Sequence, residues 1–289
     1  MRKWIAIILA VLLFAYIGYS AIFAQREEVQ ASVKQLYTSL SDKAETHPVD
    51  SFARNALGFM SDCLKALLKY SNFYVEGTRN TVLLSLMALI FGSILGMLMA
   101  LMRISRVGLL RGLATVYIEI IRGTPMMVQL LVVYYGTSLS NIIPNVNIPF
   151  LTDFPRMMTC VIVISLNSCA YVAEVIRSGI QAVDPGQMEA ARSLGFSHGQ
   201  SMTMVVLPQA IRNILPALGN EFVTVIKESS IVVYVGVADL MFRAKGVASK
   251  TYIVLASYLI AALLYFIMTF CMSTLIDYFE RRMKRGHKQ

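Results

Sequence analysis

Glu189-Ala-Ala-Arg-Ser-Leu-Gly195-Phe-Ser-His-Gly-Gln200-Ser-Met-Thr-Met-Val-Val-Leu-Pro208 is a polar stretch with helix signals, set in a chain otherwise built of long apolar runs. Asp184 stands as an N-cap, Pro185 suits the first helical turn, and Gln187 falls where a capping-box side chain reaches back to the cap's own amide. Gly195 supplies a left-handed residue to end that helix. Ser197 with Gln200 repeats the box, so a second short helix is predicted to run toward Leu207 and stop at Pro208. Two capped helices held between membrane spans are expected to face a soluble partner, against a plainer reading as a structural loop. Helix, glycine turn, helix is also the outline of a DNA-reading module. Asp184 and Glu189 balance Arg192 and Arg212, however, so despite a net charge of +9 no basic stripe exists to neutralise phosphates, and nucleic acid is not expected as a partner.

Composition fixes the class around that stretch. Of 289 residues 56% are hydrophobic and 15% charged, with mean hydropathy +0.62, against roughly 25% charged in soluble domains. The chain reads as an all-α integral membrane protein. Apolar runs of about 20 residues lie near 4–24, 79–102, 114–138, 157–177, 212–236 and 251–276, giving six expected spans. The third and fifth carry charges and prolines, and function is to be sought there.

Basic residues near span ends set the expected topology. Arg2 and Lys3, then Arg103, Arg106 and Arg111, then Arg281, Arg282, Lys284, Arg285 and Lys288 all belong inside, which puts both termini and the 189–208 stretch in the cytoplasm. Arg243, Lys245 and Lys250 object, since the same count places them outside. A re-entrant fifth segment is the alternative. Residues 1–24 read as an uncleaved anchor or as a signal-like segment, the apolar run exceeding the roughly 7–15 residues of a signal core. Residues 25–77 are then an extracytoplasmic helical segment, with weak helical periodicity over 29–40 and 52–70, expected as an accessory hairpin. Residues 78–277 form the transmembrane body and 278–289 a basic cytoplasmic tail.

Cys63, Cys160, Cys169 and Cys271 show neither disulfide nor metal spacing, and His47, His198 and His287 are scattered. No catalytic set and no metal site is expected. The absence of Gly-x-x-x-x-Gly-Lys-Ser/Thr means that any ATP is bound by another chain, so no cofactor is expected in this one.

Polar residues recur at helical spacing inside the apolar runs. Glu119, Arg122, Met126, Gln129 and Val133 are predicted to share one face, with Arg122 in reach of Glu119, and Gly123-Thr124-Pro125 is predicted to bend or loosen that helix. Asn213, Ala217, Asn220, Thr224 and Lys227 form a second stripe flanked by Glu221 and Glu228, and Lys227-Glu228-Ser229-Ser230 predicts a kink or helix end. Asn167, Tyr171 and Glu174 follow the same spacing in the fourth run. A lone charge at mid-membrane costs roughly 2.5–3.5 kcal/mol, so these residues are expected to face a partner helix, water or a passing solute. Pathway lining and a purely structural polar interface both fit.

Glu189-Ala190-Ala191, Gly195 four residues on, then Val205, Leu207 and Pro208 resemble the signature loop of permease subunits of ABC importers, with Val205 where isoleucine is usual. The likeness continues through Ala173, Glu174, Arg177, Gly179 and Ile180 before it, and Gln209, Ala210, Pro216, Asn220, Glu221, Phe222 and Lys227 after it. Arg122-Gly123-Thr124-Pro125 with Gln129, Tyr135 and Gly136 is similar to the polar amino acid uptake branch. The resemblance implies a type I importer permease fold, a five-helix core to which the N-terminal span is an addition. It also implies a second permease copy or a sister permease, two ATPase subunits, an extracytoplasmic solute-binding protein, an amino acid substrate, and a multi-pass place in the bilayer of a bacterial-type inner membrane. The ATPase-coupling loop it implies comprises Asp184, Gln187, Glu189, Ala190, Ala191, Gly195, Ser197, Leu207 and Pro208. Together with the polar stripes it points to a substrate pathway of Glu119, Arg122, Thr124, Pro125, Gln129, Asn167, Tyr171, Asn220, Glu221, Thr224, Lys227, Glu228, Ser229 and Ser230. Glu228, Ile231 and Val233 depart from the branch's usual residues, which bears on solute preference and not on class. A membrane receptor and a membrane-embedded enzyme are the competing classes. The first lacks a sizeable output domain and the second a catalytic set.

Overall fold

The computed structural model describes residues 31, 34–36, 38, 39, 42, 51–146 and 153–285, and among these it is helical with no strand. The expected anchor at 4–24 lies outside the described residues. The elements are α1 (Ser51–Ile104), α2 (Gly108–Arg122), α3 (Met126–Thr137), α4 (Leu139–Ile142), α5 (Phe154–Gln181), α6 (Pro185–Ser193), α7 (His198–Ser201), a π-helical turn (Met202–Val206), α8 (Leu207–Glu228), a 3-10 segment (Ser229–Val235), α9 (Leu240–Thr251) and α10 (Val254–Arg285). Among the described residues three helices are long and apolar enough to span a bilayer, in α1, α5 and α10, and a fourth if α2 and α3 count as one broken span. The fifth expected span is not among them, because Arg212, Glu221, Lys227 and Glu228 sit within α8 and the helix ends at Glu228. Most of residues 25–50, the first half of the expected accessory hairpin, lie outside the described residues, and residues 51–77 are helical. They run as helix, through a kink at Tyr70, straight into the first core span, since no proline interrupts residues 51–104.

The chain folds as two compact units. The first joins the described residues up to Leu83 with Val232–Cys271. Here Gly77 has no room for a side chain, because a Cβ would lie 2.8 Å from the Leu240 Cα. That close approach lets Asn80 Nδ2 donate to the Ala238 carbonyl at 2.8 Å and the Leu240 amide donate to Thr81 Oγ1 at 3.0 Å. The basic loop that disturbed the topology count is a packed element. Arg243 pairs with Glu76, and the Phe73 ring lies 5.3 Å from the Arg243 guanidinium and 4.5 Å from Lys250 Nζ. Two of the three objecting cations are thus held by ion pairing and by an aromatic face, whereas a topology count treats them as free loop charge.

Asp239 caps α9 by accepting from the Phe242 amide at 2.8 Å, and also accepts from Tyr265 Oη at 3.1 Å. It is fully buried, and burial pushes its carboxyl up to about 7, against the opposing pull of those donors. A carboxyl raised on folding contributes stability that is complete below its unfolded value of about 4 and is lost as the pH rises through 7. Asp239→Asn keeps size and cap but cannot titrate. Its melting temperature relative to the parent protein is expected to rise between about pH 5 and about pH 8, and an equal offset at both would contradict the assignment.

The second unit joins Leu84–Ile231 with the described residues from Met272. Inside a bilayer, exclusion of water does not drive helices together, so close approach and polar contact must. Glycine provides the approach. A Cβ on Gly92 would lie 3.0 Å from the Ser168 Cβ, one on Gly96 2.6 Å from Val172 Cγ1, and one on Gly219 2.7 Å from Ile276 Cγ1. Around α5 this closes a core of Ile118, Ala170, Val172, Ala173, Ile176, Val206, Ala210 and Ile214.

Candidate functional site

The first candidate element is the capped stretch after α5. Asp184 accepts from the Gly186 amide at 2.7 Å, with Pro185 in the first turn of α6. Gln187 does not close a box on that cap. Its side-chain oxygen accepts from Gln209 Nε2 at 3.2 Å and fastens α6 to the start of α8, because a partner on the neighbouring helix is in reach. Gly195 has φ +86°, and the Phe196 amide donates back to the Ala191 carbonyl at 3.2 Å, closing the helix end. Ser197 and Gln200 form the predicted reciprocal box, at 3.3 and 2.9 Å.

Pro208 does not stop the second helix. Residues 202–206 widen into a π turn in which the Leu207 amide donates to Met202 O, and Pro208 falls in the first turn of α8. The wider turn makes room for a ring that would collide with an α-helical carbonyl one turn back, and Pro208 has no amide to satisfy there. The helices therefore continue without a stop into the polar α8. Ala191 is buried and Met188 packs α6 against the core, Glu189 and Ala190 are exposed, and Leu194 and Met204 are 80% and 64% exposed. Large apolar side chains are thus exposed on a polar, capped element.

The second candidate element is the break between α2 and α3, where the axis turns by 104°. The break falls at Gly123-Thr124-Pro125 as predicted, but a turn of this size dissolves the predicted common face. Glu119 and Arg122 lie on α2, while Met126, Gln129 and Val133 lie on α3. Carbonyls freed by the break are satisfied by side chains. Gln129 Nε2 donates to Ile121 O and Thr124 Oγ1, each at 2.8 Å, and Thr124 Oγ1 donates to Ile120 O at 2.9 Å. Gln129 Oε1 accepts from Asn167 Nδ2 on α5 at 2.9 Å. Arg122 lies 5.6 Å from the centre of the Tyr171 ring.

Arg122 and Glu119 do not pair with each other. Glu119 lies 3.6 Å from Arg103, and Arg122 lies 3.8 Å from Glu174, because a charge cluster between helices outbids a single turn of α2. Ser168 Oγ donates to Glu221 Oε1 at 3.3 Å, joining α5 to α8. On α8, Asn220 and Lys227 are exposed, Thr224 Oγ1 donates to its own helix at Asn220 O, and Glu228 is the last α-helical residue. Ser229 is fully buried with its hydroxyl on Ile226 O, and Ser230 turns back to Lys227 O. Both hydroxyls donate back to the end of their own helix. Gln129, Thr124 and Asn167 are brought into one bonded group and Ser168 and Glu221 into a second, the two meeting at neighbouring positions of α5. Ser168 and Arg103 carry no periodic signal of their own, and only a fold could have revealed them.

Residues 92–285 match the family described as binding-protein-dependent transport system inner membrane component. The chain is 38% identical over 220 residues to the probable glutamine ABC transporter permease protein GlnM of Bacillus subtilis (strain 168), covering 75% of this chain and 97% of that one. It is also 38% identical over 214 residues to the arginine transport system permease protein ArtQ of the same organism, covering 73% and 93%. Among solved structures it resembles that described as an amino acid ABC transporter with histidines, at 46% identity and TM-score 0.68, covering 75% of this chain and 96% of that one. The inward-facing MetNI methionine ABC transporter shares the fold, at 16% identity and TM-score 0.53, with 74% and 95% covered.

Proposed function

Because the chain belongs to the family of binding-protein-dependent transport system inner membrane components, we propose that its capped loop is the handle by which an ATPase drives an amino acid along the polar residues of α3, α5 and α8. The chain is a permease subunit of an amino acid ABC importer, as its glutamine and arginine permease relatives and its amino acid transporter structural neighbour support. The receptor alternative finds no support among these relatives. The observation that carries the coupling role is continuity. α5 holds Asn167 and Ser168, which bond to Gln129 and Glu221, and the same helix runs on to Gln181 and, through Asp184, into the exposed α6. A load on α6 acts on the polar set through one stiff element.

In this reading two ATPase subunits bind and hydrolyse ATP, so the chain itself holds no cofactor and is not an enzyme. A second permease copy or sister permease completes the path, and an extracytoplasmic solute-binding protein delivers the amino acid. Both termini and the capped loop face the cytoplasm. Glu221 is the acidic partner of Ser168, and Glu221→Gln exchanges its carboxyl for an amide that both donates and accepts. Uptake of at least one class of amino acid, relative to the others, is expected to change by roughly tenfold in competition assays with the reconstituted transporter. A profile unchanged across cationic, neutral and acidic amino acids would remove Glu221 from the path.

A further inference from the structure

Glu174 sits where three arginines meet. Its carboxylate accepts from Arg103 Nη1 at 2.7 Å, from Arg177 Nε at 3.1 Å and from a second Arg177 nitrogen, with Arg122 Nη1 at 3.8 Å. Glu119, 3.6 Å from Arg103, adds the second acid. Arg103 is at the end of α1, Arg122 is the last residue of α2, and Glu174 and Arg177 are on α5. One partly buried carboxylate, 20% exposed at its side chain, thus ties three helices at one level.

Arg122 directly precedes Gly123-Thr124-Pro125, and beyond the bend Gln129 is fastened to Asn167 of α5. α5 therefore grips the broken span on both sides of the bend, at Glu174 and at Asn167. The seven residues between these grips correspond to about 10 Å of helix. The same α5 ends at the capped loop seven residues after Glu174.

We infer that Glu174 is a positioning residue for transport, the ionic joint through which motion of the capped loop and α5 reaches the bend between α2 and α3. The inference rests on the transport reading above. Neutralising Glu174 leaves Arg103, Arg122 and Arg177 clustered without their shared counter-charge, and like-charge repulsion then pushes the ends of α1 and α2 away from α5. The lower grip opens while the Gln129–Asn167 grip remains, so α5 moves without carrying the bend.

The test is the number of amino acids moved per ATP hydrolysed, in proteoliposomes holding the complete transporter with its ATPase and binding protein. Glu174→Gln is expected to lower that ratio about tenfold, the scale of a coupling free energy between sites, while hydrolysis continues. Arg103→Gln is expected to lower it less, and Glu174→Gln with Arg103→Gln together no further than Glu174→Gln alone, because the two act through one joint. Glu174→Asp is expected to recover part of the ratio. A purely structural role would instead reduce the yield of assembled transporter and leave the ratio per assembled complex intact. An unchanged ratio in Glu174→Gln, or additive losses in the double variant, overturns the inference. Where Glu174→Gln does not assemble, Arg103→Gln and Glu174→Asp decide the matter on the same ratio. Failure of the parent transporter to move any amino acid would count against the transport reading and not against the joint.

Discussion

Replacing Gly195 with proline is expected to abolish ATP-driven uptake while the protein remains folded in the membrane. Gly195 has φ +86°, whereas the proline ring holds φ near −65° and has no amide to donate. The Gly195 amide donates to the Arg192 carbonyl at 3.0 Å, so the substitution removes a bond as well as forbidding the backbone angle. A cost of about 3 kcal/mol or more falls on a turn between two short surface helices, α6 and α7, and not on the helix packing of the bundle. The turn is expected to open and, in the coupling role proposed for it, the loop to lose its hold on the ATPase. Gly195→Ala discriminates sterics from backbone angle. A Cβ there meets no atom within 4 Å, so only the positive φ penalises it, by roughly 1–2 kcal/mol, and a partial loss is expected. Uptake and hydrolysis measured in the same reconstituted sample check this. Normal coupled uptake by Gly195→Pro would mean that the loop carries no load.

The second large effect concerns folding. Gly96→Leu is expected to lower the yield of membrane-inserted, monodisperse protein by roughly tenfold or more, since overpacking a tight contact costs at least 1–3 kcal/mol. A Cβ on Gly96 would stand 2.6 and 2.7 Å from Val172 Cγ1 and Cβ and 3.0 Å from the Cys169 carbonyl oxygen. The carbonyl belongs to the backbone of α5 and cannot turn aside as a flexible side chain does. Either α1 moves off α5 or the helices fail to pack, and in lipid no water-driven collapse restores the contact. Gly112→Leu is the matched control, since that glycine of α2 faces open space. Size-exclusion profiles of detergent-extracted protein compare the two. Equal profiles would show that the approach of α1 to α5 does not hold the unit together.

What the sequence disclosed divides by range. The caps at Asp184 and Ser197 and the left-handed Gly195 rest on bonds between residues two to five apart, and each was legible from residue type and spacing. The break at Gly123-Thr124-Pro125 was legible for the same reason, but its 104° turn was not, and a face drawn across it assumed a straight helix. Pro208 was misread because a stop is the local rule, and a π turn ending two residues earlier is the exception that lets the helix continue as α8. The Glu119–Arg122 pair was expected from spacing alone. Arg103, 71 residues from Glu174, draws that cluster together instead, and nothing in a one-dimensional pattern announces a bond of that separation. The pairing of the basic loop at Arg243 was hidden for a related reason. Its counter-charge, Glu76, stands 167 residues away.

One measurement bears most directly on the account that a capped loop drives an amino acid path. Proteoliposomes carrying this chain with its ATPase and solute-binding protein are given labelled polar amino acids, with ATP supplied on the side of the capped loop. Accumulation of an amino acid against its gradient, dependent on ATP and lost in Gly195→Pro, is the result expected. Hydrolysis of ATP without accumulation of any amino acid, or accumulation that Gly195→Pro leaves untouched, would contradict it.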